Sequence, residues 1–294
     1  MSYTQKETIE GPYYITTKKH QFELQIKKNE YFDYIHIGSK HFKFCIEISI
    51  LKQNSIAIKG KLIQVKAEPE CGFPTFLDRG DSISMIFATF QICKHFYPQV
   101  NIYEFEDDSH IECGVQQDVT MPPRKSIKPL SLAHLSIAIY GKTWYERHFN
   151  AKLLNPEKYI QFRTATENLD YPISRTFQDF PEFIRKYHLN SYIQSNLTEY
   201  FDTEKTWYEF FSSIPKKQHC DLFYNWLPSC ISDILQDTYT NRGWYINTHT
   251  IPELHITVTN NPVYKGGRKK QTRRRTKRST VYTFSNTRMG SIIL

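Results

Sequence analysis

The densest set of chemistry-bearing side chains lies near the end of the chain. Lys265, Arg268, Lys269, Lys270, Arg273, Arg274, Arg275, Lys277 and Arg278 follow one another with no acidic residue among them. Cationic groups at that density repel one another and keep a segment extended and unpacked. They bind phosphates without reading sequence, and the binding falls steeply with salt. The expected partner is a nucleic acid or another polyanion, with Gly266-Gly267 as a flexible joint. Such a block also reads as a nuclear-import signal. A merely solubilising tail is the plainer alternative.

Other candidates are sparser. His110-x-x-Cys113 has the spacing of half a zinc site, but a structural zinc usually takes two close ligand pairs. His219-Cys220 and Cys230 do not make a convincing second pair, so no metal is expected. Glu104 and Glu106 are general-base candidates by location alone. The run Glu106-Asp107-Asp108 reads as a solvated turn. Trp207-Tyr208 and Phe223-Tyr224 could stack on bases, although aromatic residues at helical spacing more often fill a core.

Composition separates the tail from the rest. The 294 residues carry 38 Lys and Arg against 30 Asp and Glu. Ten of the basic residues, Arg288 included, fall between Pro262 and Leu294, which leaves 28 against 30 elsewhere, a net charge of −2. A basic nucleic-acid-binding body is therefore excluded. Cys45, Cys71, Cys93, Cys113, Cys220 and Cys230 are scattered, and the polar start MSYTQKETIEG has no apolar signal core. Free thiols in a reducing, intracellular setting are the expectation. No run reaches the ~18 apolar residues of a membrane span, so no membrane partner is expected.

The elements that must position these groups follow from periodicity. Residues 1–20 are polar and expected to be flexible. Phe22, Leu24 and Ile26 alternate with polar residues, 31–37 is β-branched and aromatic, and Ile46, Ile48 and Ile50 share a face in 42–51. A further strand is expected over 56–65, giving an antiparallel meander. Ile83, Ile86, Phe87, Phe90 and Cys93 then fall at helical spacing in 81–96, with Asp81 or Ser82 as cap. A short strand over 100–105 and one helix over 131–149 follow. Beyond 155 the texture is helical. Thr203 is the expected cap of a helix carrying Trp207, Phe210 and Phe211, two helices split by Pro228 come next, and strand returns within 244–259.

The order strands, glycine turn, helix, strand, helix resembles that of the GNAT acetyltransferase superfamily. Val65 and Pro69, then Arg79-Gly80-Asp81-Ser82-Ile83-Ser84, look like the family's strand end and its cofactor turn. Trp144-Tyr145-Glu146-Arg147-His148-Phe149-Asn150 is similar to its later helix end, one residue short. The resemblance implies acetyl-CoA as cofactor, its pyrophosphate on the backbone N–H groups of residues 79–84 at a helix N-terminus. It implies Val65 as the residue whose backbone holds the thioester carbonyl, and Tyr145 as the acid that protonates the leaving thiolate. Ser82 and Ser84 stand where the family carries Gly, and Gly or Ala, and an insertion separates Pro69 from Arg79. The plainer alternatives are a strand–turn–helix junction punctuated by Arg-Gly, and a Tyr145 packed in the core.

The expected fold class is α+β: a GNAT-like mixed sheet flanked by helices over 21–155, a mostly helical extension over 156–261, and a disordered basic tail over 262–294. The expected function is that of a divergent acetyl-CoA-dependent N-acyltransferase, in active or catalytically degenerate form. The alternative is a non-enzymatic viral, virion-associated protein that binds nucleic acid through its tail. Composition and tail resemble those of giant DNA virus proteins, which places the chain in a virion or host nucleus.

Overall fold

The structure is a computed structural model. It describes residues 8–16, 21–38, 44–65, 81–114, 127–252, 256–259 and 282–283. The chain is α+β and divides into two compact units, one of residues 1–105 with 246–294 and one of residues 106–245.

The first unit begins with β1 (Thr8–Thr16), β2 (Gln21–Lys28), β3 (Phe32–Gly38), β4 (Phe44–Gln53) and β5 (Ile56–Val65), followed by α1 (Asp81–Phe96) and β6 (Ile102–Phe105). β1 to β5 pair in order, each antiparallel to the next. Alternation drives this pairing: Phe22, Leu24 and Ile26 on β2 and Ile46, Ile48 and Ile50 on β4 are all buried. After α1 the direction changes. β6 returns parallel to β5, with Gly60 opposite Tyr103 and Lys61 opposite Glu104. The glycine is required there, because a Cβ on Gly60 would stand 2.3 Å from Tyr103 Cδ1.

Helix α1 packs on the sheet through Phe90, whose ring meets that of Tyr103 at 5.2 Å. Just past the helix, Tyr97 donates from its hydroxyl to Asp33 Oδ2 on β3 at 2.9 Å. The other oxygen of this buried carboxylate receives Lys52 Nζ from β4 at 2.5 Å.

The second unit runs through β7 (His110–Gly114), β8 (Ile127–Ser131), α2 (Leu132–Tyr140), α3 (Trp144–Phe149), β9 (Lys152–Leu153) and α4 (Pro156–Thr166). It continues with α5 (Phe180–Tyr187), α6 (Ser191–Leu197), α7 (Trp207–Ser213), α8 (His219–Phe223) and α9 (Leu227–Ile234). β10 (Trp244–Asn247) crosses the boundary between the units. Its Trp244 and Tyr245 pair antiparallel with β9 inside the second unit. The chain then adds β11 (Thr257–Thr259) beside β1, and β12 (Tyr282–Thr283) beside β11.

The core of the second unit is aromatic. Phe177, Phe183, Trp207, Phe210, Phe211, Phe223 and Trp226 are buried, with Phe183 at the centre of their edge and tilted contacts. Cys113 on β7 is disulfide-bonded to Cys220 on α8, their Cα atoms 5.2 Å apart. The expectation of free thiols throughout is corrected: Cys45 is also disulfide-bonded, while Cys93 and Cys230 are free and buried.

Several local expectations are corrected too. Thr8–Thr16 is a strand with Tyr14 and Ile15 buried, not a flexible end. Gly11-Pro12 disguises it, since the pair normally ends a strand. Here a register shift between Glu10 and Tyr13 absorbs it. The single helix expected over 131–149 is two, because Gly141 takes φ 62 and ends α2 while Thr143 starts α3. Thr206, not Thr203, caps α7, through a reciprocal capping box with Glu209. Pro228 lies in the first turn of α9, where its missing N–H costs nothing.

No helix among the described residues is long and apolar enough to cross a membrane. The basic residues from Lys265 to Arg278 lie outside the described residues.

Candidate active site

Val65 ends β5 in the first unit, and α1 begins at Asp81 as the spacing predicts. Arg79 and Gly80 lie outside the described residues, and the side chains of Asp81, Ser82 and Ser84 do too. Ile83 is half-buried within the first turn of α1. The parallel ladder between β5 and β6 is short. Among the described pairs it covers Gly60 and Lys61, while β5 runs on to Val65, which pairs with Ile46 of β4.

Tyr145 belongs to the second unit, on α3. That helix is short but firmly ended. Glu146 Oε2 accepts from Thr143 N at 2.8 Å, Glu146 N donates to Thr143 Oγ1 at 3.1 Å, and Asn150 closes the helix at φ 52. The remaining oxygen of Glu146, Oε1, accepts from Tyr159 Oη at 3.1 Å and lies 3.8 Å from Arg163 Nη1. Glu146 is thereby committed to holding α3 and α4 in place. Tyr145 beside it is buried, with Trp144 at 5.0 Å and Phe149 at 6.1 Å between ring centres. Burial, and secondarily the charge of Asp107, raise its phenol well above the ordinary range.

Asp107 is the residue that sequence reasoning missed. Within Glu106-Asp107-Asp108 it is 4% exposed, so the run is not wholly a solvated turn. Its neighbours behave as expected of surface residues: Glu106 lies 4.0 Å from Arg242 and Asp108 accepts from Asn241 Nδ2 at 2.5 Å. Asp107 Oδ1 accepts from Ser109 Oγ at 2.5 Å, but Oδ2 is buried without a hydrogen-bond partner, as is Tyr239 Oη. Burial first, opposed by the Ser109 bonds and then aided by the charges of Asp108 and Glu146, pushes the Asp107 carboxyl up to about 6. Tyr239 is raised by burial and then by the same carboxylates, Asp107 foremost. His134, whose ring meets that of Tyr239 at 5.0 Å, is pushed down to about 4 by burial and is neutral at pH 7.

This arrangement couples one carboxyl that exchanges its proton close to neutral pH with two phenols that retain theirs. It also sets a pH dependence. The Asp107 pKa rises on folding, from 3.8 to about 6. Its contribution to stability is therefore complete below the unfolded value and is lost as pH rises through about 6. Relative to Asp107→Asn, the wild type should lose about 3 kcal/mol of unfolding free energy between pH 3.5 and pH 7. Urea titrations of both proteins across that range check this, and parallel profiles would remove the coupling.

The other candidates are placed as follows. Glu104 is paired with Lys59 at 2.7 Å. His110 Nδ1 lies 3.1 Å from Asp108 O, and His219 Nε2 lies 3.0 Å from Ile214 O. Cys113 and Cys220 do meet, but as a disulfide rather than as ligands. Among the described residues no group of three or more His, Cys, Asp or Glu is arranged to hold a metal ion.

No family model, no curated protein and no solved structure matches the chain.

Proposed function

We propose that the chain is a divergent acetyl-CoA-dependent N-acyltransferase. The supporting observation is the β5–α1–β6 crossover. An antiparallel meander feeds α1, and the next strand returns parallel to β5 over Gly60 and Lys61 before the ladder ends. A strand end held by one neighbour can receive a ligand carbonyl on backbone N–H groups. A 16-residue helix starting at Asp81 offers phosphate a favourable N-terminus after the connecting segment. These features suit acetyl-CoA, which supplies an acetyl thioester activated toward amines. In the full proposal, residues 79–84 take the phosphates and Val65 the carbonyl.

Hydrogen exchange on the full chain tests the placement. Acetyl-CoA should slow exchange at Ile63–Val65 and in the first turn of α1. Protection confined to other segments would sink it.

A second reading concerns the tail and rests on its charge. We propose that Lys265, Arg268, Lys269, Lys270, Arg273, Arg274, Arg275, Lys277 and Arg278 hold the chain on a nucleic acid or similar polyanion. Replacing Arg273, Arg274, Arg275, Lys277 and Arg278 by glutamine in the full chain should abolish retention on a DNA column at low salt. Equal retention would refute it.

A further inference from the structure

Within the second unit, the C-terminus of α2, one side of α4, the turn after α4 and the start of α7 enclose a cleft of about 560 Å³. That lies inside the range of small-ligand sites, roughly 300–1,000 Å³. Tyr140 and Tyr208 line it and remain more than a third exposed, and Ile160 is more exposed still. Glu167 and Asp170 also line it. Both are exposed, and neither forms an ion pair among the described residues. The cation in the lining, Arg163, is already engaged. Its Nη1 donates to Gly141 O and stands 3.8 Å from Glu146 Oε1. The cleft therefore presents two carboxylates that form no ion pair among the described residues, beside tyrosine rings and aliphatic surface.

We infer that this cleft binds an alkyl cation, an ammonium or guanidinium on an apolar stem. Carboxylates meet the charge, tyrosine faces attract it, and Ile160 with the rings covers the stem. One face of the Tyr140 ring already carries the Arg147 guanidinium, 3.3 Å from its centre, so Tyr208 is the ring left to meet a ligand cation. The inference is independent of acyl transfer and of the tail.

Two sources of such a cation are distinguished by probe. Spermidine represents a free polyamine, and Nα-acetyl-arginine amide and Nα-acetyl-lysine amide represent a peptide side chain. Each is titrated into the full chain by calorimetry, with inorganic phosphate in parallel. Saturable binding of at least one cationic probe is expected, weakened at least about tenfold by Glu167→Gln with Asp170→Asn and comparably by Tyr208→Ala. All three positions are exposed, so unchanged melting temperatures should show that the variants fold. The inference is overturned if no cationic probe binds, if binding is indifferent to these substitutions, or if phosphate alone binds in an Arg163-dependent way.

Discussion

Replacing Cys113 and Cys220 by alanine is expected to lower the unfolding free energy of the oxidised protein by about 2–5 kcal/mol. The two residues are 107 apart in sequence. Joining them restricts the unfolded ensemble over a loop of that length, and the entropic gain grows with the logarithm of loop size. In the folded unit the bond ties β7 to α8, while β8 stays joined to α2 through Ser131, which caps that helix. Urea unfolding of wild type and double variant, each with and without dithiothreitol, separates the cause from packing. Reductant should bring the wild type down to the variant and leave the variant itself nearly unchanged. A wild type indifferent to reductant, or a non-reducing peptide map without the Cys113–Cys220 link, would contradict the crosslink.

Phe183→Ala should be about as costly, roughly 3–5 kcal/mol. The ring is 0% exposed and lies within 5.0–6.2 Å, centre to centre, of Phe177, Phe180, Tyr187, Phe201, Trp207, Phe210 and Trp226. These neighbours come from four segments of the second unit, so no single side chain can relax into the space. Truncation removes the transfer free energy of the ring and leaves a cavity with rigid aromatic walls. Phe183→Leu keeps much of the volume and should cost less than half as much. Tyr192→Ala, on a ring 56% exposed, should be nearly neutral. If Phe183→Ala lost under 1 kcal/mol by denaturant titration, the cluster would not be the core of that unit.

What could be read along the chain was whatever depends on near neighbours. Alternation at Ile46, Ile48 and Ile50 located β4, and helical spacing from Ile83 to Cys93 located α1 with its start at Asp81. The sequence also carries the Thr206-x-x-Glu209 signature of a capping box, a local signal for the start of α7 that lies three residues beyond Thr203. The β1 strand escaped because a bulge can absorb a Gly-Pro that local rules treat as a stop. Long-range features left no local trace. Nothing in the spacing of Cys113 and Cys220 selects that pair. Likewise Glu106, Asp107 and Asp108 are alike in sequence, and only tertiary packing in the second unit buries the middle one. The same applies to the cleft, which needs α2, α4 and α7 assembled before Glu167 and Asp170 flank tyrosine rings.

The proposal that the β5–α1–β6 crossover serves an acyl-CoA is tested most directly by the stability of the full chain in acetyl-CoA. Ligand that binds the folded state alone should stabilise it by about 2.7 kcal/mol at a hundredfold excess over the dissociation constant. A saturable rise in melting temperature with acetyl-CoA, competed by CoA and absent with acetate, is the predicted result. An unchanged melting temperature at millimolar acetyl-CoA would contradict it.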